Sequence, residues 1–141
     1  MTEVREGCEL GAPAAQVWGL VADFGGFVEM LVAPRNGRVE THGTGVGMTR
    51  TVTVDDQRLV ERLDELDENR WRTSYSMLIP GALPVADYQA TISVNPVGHM
   101  RCSLDWVGCF TPHGASEEEA AQAVREIYIE GITLMRQRFG H

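Results

Sequence analysis

Arg50 and Glu61 carry the most chemical content in this chain. Arg50 falls in phase with Met48, Val52 and Val54, while Thr49, Thr51 and Thr53 take the alternate, solvent-facing positions. Glu61 falls in phase with Leu59 and Leu63, against Val60 and Arg62. Alternation of this kind marks half-buried strands, so each charge points the same way as apolar neighbours. A two-residue connection at Asp55-Asp56 sets Arg50 opposite Glu61, Val52 opposite Leu59 and Met48 opposite Leu63. A four-residue connection, Asp55 to Arg58, shifts the register but keeps both charges on one face. Burying either charge is costly unless it is paired. In one arrangement the two form a satisfied ion pair that closes one end of the core or reaches solvent at the sheet edge. In the other, Arg50 holds a ligand carboxylate, enolate or phenolate, and Glu61 orients it or acts as a base. Apolar surroundings raise a carboxylate's pKa toward the range acid–base work needs, and an adjacent arginine lowers it.

Tyr75 and Tyr88 lie on the inner face of neighbouring predicted strands. Singly, each reads as a core aromatic whose hydroxyl finds a backbone or water partner. Together beside Arg50, two phenols bind a carbonyl oxygen and stabilise an enolate. His42, His99 and His141 fall in loop or terminal positions. His113, in Thr111-Pro112-His113-Gly114, sits between the last strand and the final helix, as a surface loop histidine or a proton shuttle at a rim. No His, Cys and carboxylate set has metal-ligand spacing, and neither GxGxxG nor a P-loop occurs. No Ser-His-Asp or Cys-His nucleophile pattern is present. The reading therefore includes no metal and no cofactor. Gly43-Thr44-Gly45-Val46-Gly47 precedes a strand rather than a helix, which suits a mobile gating loop better than a phosphate cradle. Cys8, Cys102 and Cys109 are odd in number with no CxxC spacing and read as free thiols.

The elements that must position these groups follow from periodicity. The first ten residues form a strand with Val4, Glu6, Cys8 and Leu10 on one side. Ala12-Pro13 opens a helix, proline suiting the first helical position. Its stripe is Val17, Leu20 and Val21, with Trp18 beside it. Asp23-Phe24-Gly25-Gly26 breaks it, and a second short helix runs from Phe27 to Leu31, ended by Pro34. Strands fill Arg38 to Phe110. Trp71, Thr73, Tyr75 and Met77 share one face. Pro80-Gly81-Ala82-Leu83-Pro84 makes a turn. Tyr88, Ala90, Ile92 and Val94 share the next face, and Asn95-Pro96-Val97-Gly98 makes another turn. The last strand turns Cys102, Leu104, Trp106, Gly108 and Phe110 inward. Regular spacing with tight turns argues for one antiparallel meander. Ser116 to Phe139 is a long helix whose capping box is Ser116 with Glu119. Its stripe is Ala120, Val124, Ile127, Gly131 and Leu134, flanked by Tyr128 and Met135. Arg136 and Arg138 sit at the negative end of its dipole.

With 141 residues, the chain is one domain, residues 1–141, and long enough to bury a core without staples. Twenty acidic against twelve basic residues give a net charge of −8, which repels phosphate backbones and argues against nucleic-acid binding. No window approaches the ~18 consecutive apolar residues of a membrane span. The start, Met-Thr-Glu-Val-Arg-Glu, lacks a basic-then-apolar leader, so a cytoplasmic location is the expectation.

Landmark segments in this order and spacing are Ala12-Pro13-Ala14-Ala15-Gln16-Val17-Trp18, Asp23-Phe24, Gly45-Val46-Gly47-Met48-Thr49-Arg50, Glu61-Arg62-Leu63, Ser74-Tyr75, Leu83-Pro84-Val85 with Tyr88, and Asp105-Trp106 with Phe110. Over nearly its whole length the chain resembles the START-like (SRPBCC) superfamily, which includes polyketide cyclase/dehydrases and birch-pollen-allergen-type proteins. The resemblance implies an α+β helix-grip fold, in which a curved antiparallel sheet wraps a long C-terminal helix, with two short helices after the first strand. It also implies a cavity for a mostly apolar ligand, a reading that suits a concave apolar wall bearing a few polar groups. Many relatives carry a tryptophan before the proline of the second short helix. Here the stretch is Met30-Leu31-Val32-Ala33-Pro34, so ligand identity does not transfer.

On this reading Arg50, Glu61, Tyr75 and Tyr88 are the catalytic candidates. Trp71, Met77, Trp106 and Phe110 from the sheet, and Tyr128, Gly131 and Met135 from the helix, are the ligand-contacting candidates. Gly108 and Gly131 either open space for a ligand or permit close backbone packing. The implied function is cofactor-free cyclase or dehydratase-like chemistry on a small hydrophobic or aromatic molecule. The alternatives are a carrier for a lipid, quinone or secondary metabolite, and an interaction module whose acidic surface docks on a partner. A homodimer is compatible with this reading; stable membrane insertion is not expected.

Overall fold

A computed structural model describes all residues, Met1–His141. The order is β1 (Thr2–Leu10), α1 (Ala14–Val21), α2 (Phe24–Val32), a 3₁₀ turn (Ala33–Arg35), β2 (Arg38–His42), β3 (Thr49–Val54), β4 (Gln57–Asp67), β5 (Arg72–Ile79), β6 (Val85–Gly98), β7 (Arg101–Pro112) and α3 (Glu117–Phe139). Strands β2 to β7 form a meander, and β1 adds beside β7, giving the sheet order β1-β7-β6-β5-β4-β3-β2. All neighbours are antiparallel. Register shifts in β4 and β6 bend the strands, as bulges do, and the seven-stranded sheet is curved. This is the helix-grip architecture, α+β in class.

Helix α3 begins at a complete capping box: the Ser116 side chain accepts from the Glu119 N–H, and the Glu119 carboxylate accepts from the Ser116 N–H. Its buried stripe is Ala120, Val124, Tyr128, Gly131, Ile132 and Met135. Tyr128 and Met135 are therefore central rather than flanking, while Ile127 and Leu134 are only half-buried. The helix packs chiefly on β1 and β7, at one end of the sheet. Helix α2 packs on β2 and β3 at the other end and touches α3. The inner face over β3, β4 and β5 is thus bridged rather than filled.

Several boundaries differ from the sequence reading. Asp23-Phe24-Gly25-Gly26 does not separate α1 from a helix at Phe27. Asp23 is the N-cap of α2, its side chain accepting from the Gly26 N–H at 2.9 Å, and the helix starts at Phe24. That carboxylate satisfies an otherwise unpartnered first-turn donor, which offsets the low helical preference of two glycines. Pro13 is the residue before the first helical position rather than the position itself. Strand β6 continues through Asn95-Pro96-Val97-Gly98, absorbing the proline with a register shift, and the turn falls at His99-Met100. Trp71 lies outside β5 with φ of 51°, in the turn after β4, so its phase with Tyr75 is broken. No single helix is long and apolar enough to cross a membrane; α1 and the α2 segment pass such a test only as a pair bent by 86°.

Candidate functional site

The β3–β4 connection is the two-residue turn Asp55-Asp56, with Asp55 in the left-handed region at φ of 54°. Val54 pairs with Gln57, so Arg50 faces Glu61 and Val52 faces Leu59. The Leu63 N–H donates to the Met48 carbonyl, extending the same register. Arg50 is 3% exposed and Glu61 6%. Arg50 Nε donates to Glu61 Oε1 at 2.8 Å, and Arg50 Nη1 donates to the Phe24 carbonyl at 2.7 Å. The guanidinium also stacks between two rings, 3.8 Å from the Phe24 centroid and 4.7 Å from that of Tyr75. It thus ties the sheet to the first turn of α2 while sitting in a cation–π sandwich. Arg50 Nη2 and Glu61 Oε2 have no protein partner, yet neither atom is completely buried.

Tyr75 and Tyr88 project from neighbouring strands, their ring centroids 6.2 Å apart. The Tyr75 oxygen accepts from the Trp106 indole N–H at 3.2 Å, which leaves its own proton to donate. Tyr88 spends its hydroxyl differently, in a short hydrogen bond with the Tyr128 hydroxyl of α3. Tyr128 stacks on Trp106 with centroids 4.2 Å apart. Burial is the main force on all three phenols. It pushes Tyr75 up to about 12, with the Glu61 carboxylate raising it further and Arg50 opposing. It raises Tyr88 and Tyr128 well above the usual phenol range; Tyr75 adds to the rise in both, while the hydrogen bond with Tyr88 opposes it in Tyr128. All three are neutral donors at physiological pH.

A cavity of about 310 Å³ opens beside this cluster. Arg50, Glu61, Tyr75 and Tyr88 lie on its wall. Its apolar surface comes from β3 and β4 (Val52, Val54, Leu59), from α2 (Leu31, Val32) and from α3 (Ile127). The loop Pro80–Pro84 and Trp106 complete it. At the rim, Arg35 donates to Glu130 at 2.8 Å, joining the 3₁₀ turn to α3 through two exposed side chains. No three His, Cys, Asp or Glu side chains cluster as a metal site.

A fold and a buried ion pair do not by themselves name a family, so the whole-chain comparison decides it. The model of polyketide cyclase/dehydrase and lipid transport proteins matches residues 1–140. The chain belongs to that family. Comparison with curated proteins returned no match. Among solved structures, XoxI from Bacillus cereus superposes with a TM-score of 0.87 at 25% identity, covering 99% of this chain and 96% of that one. A Thermobifida fusca protein gives 0.86 at 28%, covering 99% and 94%. Norcoclaurine synthase from Thalictrum flavum, solved with dopamine and hydroxybenzaldehyde, gives 0.74 at 18%, covering 96% and 84%; at that identity only the fold is shared.

Within this polyketide cyclase/dehydrase family member, the residues expected around a ligand divide into two sets. Arg50, Glu61, Tyr75, Tyr88, Met77 and Trp106 meet at the cavity. Trp71 does not: its left-handed backbone carries it to a surface hollow formed with Arg70, Arg72 and Asn95. Phe110 is fully buried behind Tyr88, stacked at 6.2 Å. Tyr128 and Met135 are also fully buried and do not line the cavity. Gly131 opens no room either. A Cβ there would lie 2.8 Å from the Trp106 ring, so the glycine lets α3 settle onto the sheet. His113 is exposed away from the cavity, and the Gly43–Gly47 segment is the β2–β3 turn, which takes no part in the lining. The sequence reading missed the Phe24 carbonyl as the second partner of Arg50, since no side-chain pattern marks a backbone acceptor. It also took Pro80–Pro84 only as a turn, although Leu83 in that segment signals an apolar contact.

Gly108 permits the phenol pair. A Cβ there would strike the Tyr128 hydroxyl and lie 3.2 Å from its ring carbon. Gly108→Ala is expected to destabilise the protein by about 2–3 kcal/mol, through overpacking and the loss of a buried hydroxyl pair. Urea denaturation checks this. Adding Tyr128→Phe, which clears the blocked space, is expected to recover part of the loss; a purely additive double variant contradicts the assigned clash.

Proposed function

We propose that the protein binds a small, mainly apolar or aromatic molecule in this cavity and acts on it by cofactor-free acid–base chemistry of the cyclase or dehydratase kind. One observation carries the reading: a buried guanidinium–carboxylate pair keeps one donor nitrogen and one acceptor oxygen unclaimed, beside a neutral phenol, on the wall of an apolar cavity. A ligand carbonyl oxygen bonded by Arg50 Nη2 and the Tyr75 hydroxyl becomes more electron-poor, and the neighbouring C–H more acidic. Glu61 Oε2 takes that proton while the two donors hold the enolate charge. In a dehydration, the same proton leaves on the β-hydroxyl as water, and the enone double bond forms. Preorganised donors in a dry site need no rearrangement as the charge develops. Tyr88 lines the wall, but its hydroxyl is committed to Tyr128, so its part is to shape the pocket.

A carrier for a hydrophobic molecule is the second reading. It is favoured by the structural role Arg50 already has, clamping α2 to the sheet. Proton exchange separates the two. With 2-tetralone in deuterated buffer at neutral pH, the catalytic reading expects the protein to speed deuterium uptake beside the carbonyl, and Glu61→Gln to remove the effect. Binding without faster exchange leaves the carrier. A protein that binds neither 2-tetralone nor a neutral naphthylamine dye overturns the ligand-binding reading itself.

A further inference from the structure

We propose that the cavity selects an uncharged ligand bearing a hydroxyl or enol group and rejects the carboxylate of the same shape. This rests on the ligand-binding reading above and goes further by naming the polar group recognised. The charges facing the interior are few. Arg50 on β3 and Glu61 on β4 are the buried pair, 2.8 Å apart, so their fields largely cancel. The remaining charges, Arg35, Arg58 and Glu130, stand at the exposed rim, where water screens them. Tyr75 and Tyr88 add no charge.

What the ion pair leaves open is a donor at Arg50 Nη2 and an acceptor at Glu61 Oε2. A hydroxyl is one donor and one acceptor in a single atom, so it satisfies both at once. A carboxylate is acceptor-only. Seated on Nη2 it leaves Oε2 unpaired, and it sets two negative charges side by side in a weakly screening interior. Arg50 by itself attracts carboxylates; Arg50 with Glu61 does not.

The test is competition against N-phenyl-1-naphthylamine, a neutral dye that fluoresces in apolar pockets, using naphthalene, 2-naphthol and 2-naphthoate at neutral pH. The expected order on the unmodified protein has 2-naphthol displacing the dye at roughly tenfold lower concentration than naphthalene. It displaces at roughly a hundredfold lower concentration than 2-naphthoate. Glu61→Gln keeps the shape and leaves the guanidinium unbalanced, so 2-naphthoate is expected to overtake 2-naphthol. Dye binding in which 2-naphthoate leads on the unmodified protein, or in which naphthol equals naphthalene, overturns this inference alone. No saturable dye binding overturns the cavity reading with it. The unmodified series decides the matter even if Glu61→Gln does not fold.

Discussion

Arg50→Ala is expected to destabilise the protein by about 3–5 kcal/mol, because it strands Glu61 as a buried, unpaired carboxylate. The guanidinium has four attachments. It donates to Glu61 and to the Phe24 carbonyl, and it stacks on the rings of Phe24 and Tyr75. Alanine removes all of them and leaves space where the side chain lay. Chemical denaturation measures the loss. The decisive comparison is the double variant Arg50→Met with Glu61→Leu. An apolar pair of similar volume needs no charge compensation, so it is expected to regain most of the stability. On the proposed catalytic reading, faster deuterium uptake into 2-tetralone does not return with it. Should Arg50→Ala cost less than about 1 kcal/mol, the pair is effectively solvated and the site described here is not a dry one.

Raising the pH past about 10 is expected to unfold the protein cooperatively, with its tyrosines ionising together rather than in turn. The chain has three tyrosines, and all three lie in the buried phenol cluster. Unfolded, each titrates near 10. Folded, Tyr75 is pushed up to about 12 and the other two are held higher than the usual range. Above 10 the native state therefore holds more protons than the unfolded state, so stability falls as pH rises. The contribution is fully present below pH 10 and is lost as pH climbs through the folded values. With three protons at stake, the slope approaches about 4 kcal/mol per pH unit. Tyrosinate absorbance and far-ultraviolet circular dichroism, followed together, check it. A single phenol ionising near pH 10 with the dichroism intact contradicts the cluster.

The difference between Arg50 and Tyr88 shows how far sequence reasoning reaches. Period two puts Arg50 and Glu61 on one face under either connection the sequence allows, and the two-residue turn is the one that sets them opposite each other. Nothing beyond the hairpin is needed for that pairing. The same period puts Tyr88 on the inner face, yet the partner of its hydroxyl is not legible in the sequence. Its partner Tyr128 is forty residues away on α3, and they meet only because Gly108 lacks a side chain. Trp71 shows the opposite failure: alternation continued on paper through a residue whose backbone turns left-handed.

By itself, then, the order of residues determined the meander, the terminal helix with its cap, the inward direction of the Arg50 and Glu61 side chains and the family resemblance. Those properties depend on periodicity and on contacts close in the chain. Only the tertiary structure decided that α3 rests on β1 and β7 while α2 spans to β3, leaving the space between them open. It also decided that Gly131 admits a tryptophan ring rather than a ligand, and which atoms of the ion pair remain free. Those outcomes turn on how rigid elements pack across distances of many residues, where interiors are close-packed and even one methylene is felt.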